Sequence, residues 1–456
     1  MTYKINTYRL ITCLIVCLFL IHDASGQRRP QQGPSNIVTF DTIILPSEME
    51  NHVRLDLTYR VMKNFFVFTR ATAPAGDFPY VGGLQLSVEI FDADGNSRGR
   101  HFGQKELSSK VATLEFPDFD FTEGVVTFEL PPGEYRLLIQ LKDVNSDRRY
   151  TDRDRRVLIP GDKSDEIALY DIFFIEEINQ NIDTVEVRPL NFGGNIFFGK
   201  TVYGAVSYTL PSDPDDMPII TTSLHRLDQG GGSREELHRE IISREHIHRA
   251  VLIDTKKSED DIWYYMHKTD TYNTHYAIFS LPGDRLDEGT YSLNVAIERE
   301  TLRTEKSKTF RVVWVDKPLS LQNTDFGIEM LEYILSPEEY RQIRRGSRRE
   351  RQRNFIQYWK ERDPEPERAF NPVMTEFYRR VDYAATEFST VRERNGARTD
   401  RGKIYILYGP PTTKQRELFS DQAPQETWEY IHLNQRFIFI DQTRQGNYRL
   451  VSREEL

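Results

Sequence analysis

Six of the ten histidines fall between His225 and His275. Within them, His246-Ile247-His248 sets two imidazoles at i and i+2, which is one face of a strand. A zinc site built on that pair needs a third and fourth donor, such as His238 or Glu245, brought close in space. The spacing by itself fits a polar strand face turned to water, and neither a metal nor any other cofactor is expected. Asp92-Ala-Asp-Gly-Asn96 has the acids of a calcium loop but not its D-x-D-x-D-G spacing or the glutamate at position twelve, so it reads as a hairpin turn. Arg341–Arg353 (RQIRRGSRRERQR) sets seven arginines against one glutamate. That density suits a polyanion such as lipopolysaccharide, teichoic acid or nucleic acid, while a solvated helix face paired with nearby carboxylates is the plainer reading. No G-x-S-x-G, H-E-x-x-H or phosphate-loop motif occurs. A hydrolase working through two carboxylates leaves no such local signature, because its acids need not be neighbours in sequence.

The elements that carry the arginines and the residues after them read as helices first and strands last. Phe326, Met330, Ile334, Tyr340 and Ile343 recur at helical spacing, and Ser336-Pro337-Glu338-Glu339 has the cap, first-turn proline and acids that open a helix. Asn371-Pro372 opens another, with Val373, Phe377, Val381, Ala384 or Ala385 and Phe388 along one apolar face. Asp363-Pro-Glu-Pro366 makes a rigid elbow between them. Strands are expected at Lys403–Tyr408, Thr427–Ile431, Arg436–Ile440 and Tyr448–Val451. In that scheme Gly396 caps the long helix, and Thr399 or Asp400 bonds backbone amides in the turn before the Lys403 strand.

Several blocks in this region occur in a recognisable order: the helix Phe377–Phe388, then Asn395-Gly-Ala-Arg-Thr-Asp400, Arg401-Gly-Lys-Ile-Tyr-Ile-Leu-Tyr-Gly-Pro-Pro411, and Trp428-Glu-Tyr430. Together they resemble the GWxTD-domain proteins of bacterial envelopes, over roughly Leu319–Leu456. The tryptophan of the motif is Ala397 here. The resemblance implies an envelope context and a β-rich secreted N-terminal part, and it carries no mechanism. A binding groove for a peptide or glycan would be lined by Gly396, Arg398, Thr399, Asp400, Gly409, Pro410, Trp428 and Tyr430, because polar loop residues are where binding usually sits.

Upstream, alternating segments are separated by turns with no helix between them. Leu84–Phe91 alternates with period two. Val125–Leu130, Pro131-Pro132-Gly133 and Tyr135–Leu141 read as strand, turn, strand. The Leu-Pro-Gly…Tyr signature returns at Leu281-Pro-Gly283 and Gly289-Thr-Tyr291, and Leu84–Asp92 has a counterpart in Ile219–Asp228, followed by Gly230-Gly-Gly232. The expected architecture is therefore two tandem all-β immunoglobulin-like sandwiches, residues 35–160 and 165–316, followed by an α+β domain over 319–456.

The chain starts with two cations, Lys4 and Arg9, an apolar run from Leu10 to Ile21, and Ala24-Ser25-Gly26. This is the pattern of a signal peptide over residues 1–26, and 27–34 follow as a flexible leader. Twelve apolar residues are too few to span a bilayer, and no later run reaches the roughly 18 that would. Both cysteines, Cys13 and Cys17, leave with the signal, which excludes disulfides, thiol nucleophiles and thiolate metal sites in the mature protein. The net charge of −10 gives no global field toward nucleic acid or anionic membranes, so any such contact must be local. The expectation is a protein exported to the periplasm or cell surface that works without catalysis. It would be a scaffold or adaptor for an envelope protein or glycan, with no nucleic-acid partner. The alternative is a carbohydrate-active or peptide-processing hydrolase with its site in the C-terminal domain.

Overall fold

The computed structural model describes residues 37–75, 78–112, 120–161, 165–211, 217–228, 234–257, 262–269, 273–418 and 422–456. The expected signal peptide and leader, and the Gly230–Gly232 turn, lie outside the described residues. The chain is mostly strand, with its α-helices gathered toward the C-terminus.

The first β unit holds β1 (Val38–Pro46), β2 (Val53–Met62), β3 (Thr69–Ala75), β4 (Phe78–Asp92), β5 (Ser97–Ser109), β6 (Phe121–Leu130), β7 (Gly133–Asp143) and β8 (Arg149–Ile159). Period-two alternation puts Leu55, Leu57 and Val61 of β2 and Leu137, Ile139 and Leu141 of β7 into one core. That core lies between a β1-β2-β6 sheet and a second sheet in which β4 pairs β5, β7 and the start of β3, and β8 pairs β7. The turn between β4 and β5 is the expected hairpin: Asp92 Oδ1 accepts from the Asp94 and Asn96 amides at 3.0 and 2.8 Å, and Gly95 takes φ 84°.

The second unit holds β9 (Ala168–Gln180), β10 (Thr184–Pro189), β11 (Ile196–Phe197), β12 (Val202–Thr209), β13 (Ile219–Leu227), β14 (Arg234–Ile241), β15 (Ile247–Lys257), β16 (Ile262–Lys268), β17 (Thr274–Leu281), β18 (Gly289–Arg299) and β19 (Leu302–Val313). Its sheet β14-β13-β18-β19 repeats the order β5-β4-β7-β8, and β9-β12-β17 repeats β1-β2-β6. The echoed tyrosines play the same part in both copies. Tyr135 donates its hydroxyl to the Pro131 carbonyl at 2.9 Å, and Tyr291 to that of Asp287 at 2.8 Å, each four residues upstream. The second unit departs from a plain two-sheet sandwich because β10, β15 and β16 have no counterpart in the first. The long β9 pairs β12 along one part and β10 along the rest, β16 bridges β10 to β15, and the sheet closes into a six-stranded barrel.

The two units share a buried boundary. One face of β1 (Val38, Phe40, Ile44) belongs to the first core, whereas Ile43 and Leu45 join a cluster to which all six barrel strands contribute. Beside them the buried Arg60 donates to Glu123 at 2.6 Å and to Glu176 at 3.4 Å, with its guanidinium 4.1 Å from the Phe121 ring centre. Burial raises the Glu123 carboxyl above its usual range, against the pull of Arg60. Asn191, in the left-handed region at φ 48°, donates to the Tyr59 carbonyl at 2.8 Å.

The C-terminal domain holds α1 (Leu319–Gln322), α2 (Thr324–Met330), α3 (Pro337–Arg344), α4 (Arg348–Lys360), α5 (Pro372–Glu387) and α6 (Asp400–Tyr408). Its sheet has the order β20 (Thr413–Glu417), β21 (Gln425–Tyr430), β22 (Gln435–Ile440) and β23 (Arg449–Glu455). Phe198 and Trp314 of the second unit stack at 4.7 Å and meet Phe370 of the domain edge-on. Ser336 is the expected cap and forms a capping box with Glu339, and Asn371 accepts from the Met374 amide. Three expectations are corrected. Lys403–Tyr408 is not a strand but most of helix α6, because Thr399 accepts from the Gly402 amide and Gly409 ends the helix at φ 76°. Gly396 does not cap the long helix, which ends at Glu387; it opens a 3-10 turn, Gly396–Arg398. Val373 is 47% exposed, so the inward face of α5 runs through Phe377, Tyr378, Val381 and Ala384 instead.

Candidate functional site

The motif segment is held from several sides. The Asn395 side chain accepts from the Ala397 amide at 3.1 Å. A Cβ on Gly396 would stand 2.2 Å from the Ala384 carbonyl oxygen, so only glycine lets the turn sit against α5. Thr399 Oγ1 donates back to the Gly396 carbonyl at 2.7 Å while accepting from Gly402 at 3.1 Å. Ala397 is wholly buried, and its carbonyl accepts the Tyr333 hydroxyl at 3.0 Å. Burial, reinforced by Glu329 and Glu332, pushes that tyrosine up to about 12. Asp400 accepts from the Leu450 amide at 2.9 Å and so ties α6 to the edge strand β23.

Trp428 and Tyr430 are core residues rather than groove residues. Trp428 packs on Phe388 and Phe439, and Tyr430 donates to the Gly409 carbonyl at 2.8 Å. Beneath them Glu426 is 1% exposed and accepts from the Trp428 indole at 2.7 Å. Arg401 and Lys414 each reach Glu426 at 3.2 Å, which is what lets a carboxylate sit in this core. Of the eight residues expected to line one groove, Gly396, Thr399, Gly409, Trp428 and Tyr430 are buried, and Arg398, Asp400 and Pro410 keep solvent contact.

Arg398 points to a different place. It makes a two-point ion pair with Glu329 of α2, at 2.7 and 2.9 Å, on the wall of a cleft of about 700 Å³. The cleft runs between α2, the turn after it, α3 and the start of α4. Asp325, Glu329 and Glu332 face Arg344, Arg351 and Arg398 across it, with Tyr340 at one side. Arg351 bonds Asp325 at 3.1 Å, and Arg344 lies over the Tyr340 ring at 5.3 Å. The structure thus joins two features read separately in the sequence, the arginine run and the motif arginine. The acids opposite them were missed; the signal available was their place on the polar side of α2, one turn apart from Asp325 to Glu329. The cleft offers fixed donors and acceptors of both signs, which suits a polar peptide or a glycan.

The other arginines of the run divide. Arg341 pairs with Glu338 at 2.6 Å, but among the described residues Arg344, Arg345, Arg348 and Arg349 have no carboxylate within 4.0 Å, so the expected carboxylate pairing holds only in part. The histidine pair is separated. His246 is exposed in a 3-10 turn, Arg244–His246, while His248 is buried in β15. Burial first, then Lys268 and His246, pull the His248 imidazole down to about 4. The two therefore do not share a strand face, and no group of three or more metal-ligating side chains is present among the described residues. Nor is any helix among them long and apolar enough to cross a membrane.

Residues 296–456 match the family model of the GWxTD domain, so the chain carries that domain, and the match begins within β18 rather than at Leu319. No curated protein matches the chain. Among solved structures, AvmM, which catalyses macrocyclization in alchivemycin A biosynthesis, is 10% identical, with 32% of this chain and 89% of that one covered and a TM-score of 0.14. The titin domains z1z2 in complex with telethonin are 14% identical, covering 61% and 96%, at a TM-score of 0.11. At such scores neither fold nor function carries over.

Proposed function

We propose that this chain, with a GWxTD domain behind two β units, is a non-catalytic adaptor of the bacterial cell envelope, exported by its N-terminal signal. In this reading the β units are immunoglobulin-like spacers, and the C-terminal domain takes hold of an envelope protein or glycan. One observation carries it. The residues of the motif turn and of the Trp428–Tyr430 strand are mostly used up inside the domain, while Arg398 alone of them is turned outward onto a polar cleft. In that cleft Arg398–Glu329 and Arg351–Asp325 are paired within the protein, while Glu332 and Arg344 are left to meet a partner, which favours recognition by hydrogen bonds and charge.

The test places a photo-crosslinking amino acid at Glu332, on the cleft, and at Thr151, on β8, in cells making the tagged protein. A discrete adduct from position 332 that is absent from position 151, and that disappears with Arg398→Glu, is the expected result. Hydrolysis of a glycan or peptide by the purified protein, abolished by Asp400→Ala, would overturn the adaptor reading in favour of an enzyme.

A further inference from the structure

Helix α4 has three sides with neighbours and one without. Phe355, Tyr358 and Trp359 enter the domain core, and Asn354 reaches the α3 carbonyl of Gln342 at 3.3 Å. Arg351 is bonded to Asp325. Among the outward residues, Arg349, Arg353, Ile356 and Lys360, at i, i+4, i+7 and i+11, form one straight row about 16 Å long, with Glu350, Gln352 and Gln357 exposed beside it. Arg348, the first residue of the helix, lies beside this row, Arg345 precedes the helix, and all six residues are exposed.

Among the described residues, Arg345, Arg348, Arg349 and Lys360 have no carboxylate within 4.0 Å. Glu350 feels the charge of Arg353 but is already held by the Ser347 amide at 2.7 Å. Ile356, 56% exposed, is the single apolar member of the row. We propose that this face docks the protein onto an anionic bilayer surface. Cations on one rigid line meet a flat sheet of headgroups together, and an isoleucine among them has a place to go in the headgroup layer, which it would not have along a phosphate chain in water. No aromatic ring is exposed in the row to stack on a base, so a single-stranded nucleic acid gains little from it. Because the whole chain carries −10, attraction to an anionic surface has to be local, and docking through this face fixes the orientation of the molecule. The proposal goes beyond the adaptor reading and does not depend on what occupies the Arg398 cleft.

The test is co-sedimentation of the purified full chain, with its signal removed, with vesicles of phosphatidylcholine alone or mixed with phosphatidylglycerol. Binding is expected only to the anionic vesicles and should fall steeply with added salt, as screening demands. Arg348→Glu combined with Arg349→Glu should cut partitioning about thirty-fold or more, at about fivefold per cation lost, without moving the thermal unfolding midpoint. Ile356→Asn should weaken binding several-fold, and the same charge reversal at Arg153 and Arg156 on β8 should leave it unchanged. No partition onto anionic vesicles, or equal partition of the double variant, would overturn the proposal. Binding to free polyphosphate that exceeds vesicle binding and ignores Ile356→Asn would overturn it too, by making the occupant a soluble polyanion.

Discussion

The motif turn and the outer face of α4 lie in one domain and use polar residues in opposite ways. Around residues 395–409 almost every polar group has a partner inside the protein: Thr399 bonds in both directions, Asp400 holds an edge strand, and Glu426 gathers Arg401, Lys414 and Trp428. Along the outer face of α4 Arg349, Arg353 and Lys360 are left to water. The difference separates what holds this domain together from what the chain offers to its surroundings.

Substitutions can break this contrast, beginning where the effect is largest. Glu426→Gln strands two cations in or beside the core and should lower stability by about 3 kcal/mol in urea unfolding. Gly396→Ala forces a methyl against the α5 carbonyl, and a loss of about 2–3 kcal/mol is expected from the same measurement. His248 tests the contrast in the barrel. Its imidazole stays neutral in the fold down to about pH 4, whereas an unfolded histidine takes its proton near 6.5. Between those values the unfolded chain binds more protons. Stability should therefore fall as pH drops from about 6.5 to about 4, by on the order of 2 kcal/mol, and His248→Gln should flatten that slope in denaturation midpoints taken across the range. Thr399→Ala removes a helix cap and should cost about 1 kcal/mol. Arg348→Glu with Arg349→Glu, at the other pole, should change stability by less than about 0.5 kcal/mol, because exposed unpaired charges hold nothing together.

The β pattern, the repeat and the capped helices were legible because each rests on local chemistry. Alternation in Leu84–Phe91, the Pro-Gly corners and Ser336-Pro337 all report on their own few residues. Lys403–Tyr408 misled because its β-branched and aromatic run, Ile404, Tyr405 and Ile406, favours a strand by propensity. The stronger signal lay at its ends, where Thr399 and Asp400 open a helix and Gly409 closes it. Barrel closure was not legible, since it depends on β16 meeting β10 some eighty residues away in sequence. The groove expectation failed for a similar reason: Trp428 and Tyr430 lie on the inward side of β21, and nothing in the loop sequence says which side of a sheet the helices will cover. The cleft at Arg398 needed α2 and α3 to be folded beside it.

The boundary between the β units has a consequence for how the protein comes into being. β1 is the first strand of the described chain to leave a ribosome or a translocation channel, yet only one of its faces belongs to the first unit. Ile43 and Leu45 stay bare until the barrel exists, and that cluster is complete only when Ile278 has appeared. That face of the first unit is therefore covered late, after most of the second has been delivered. Until then the chain carries an unfinished surface that a chaperone or protease can read.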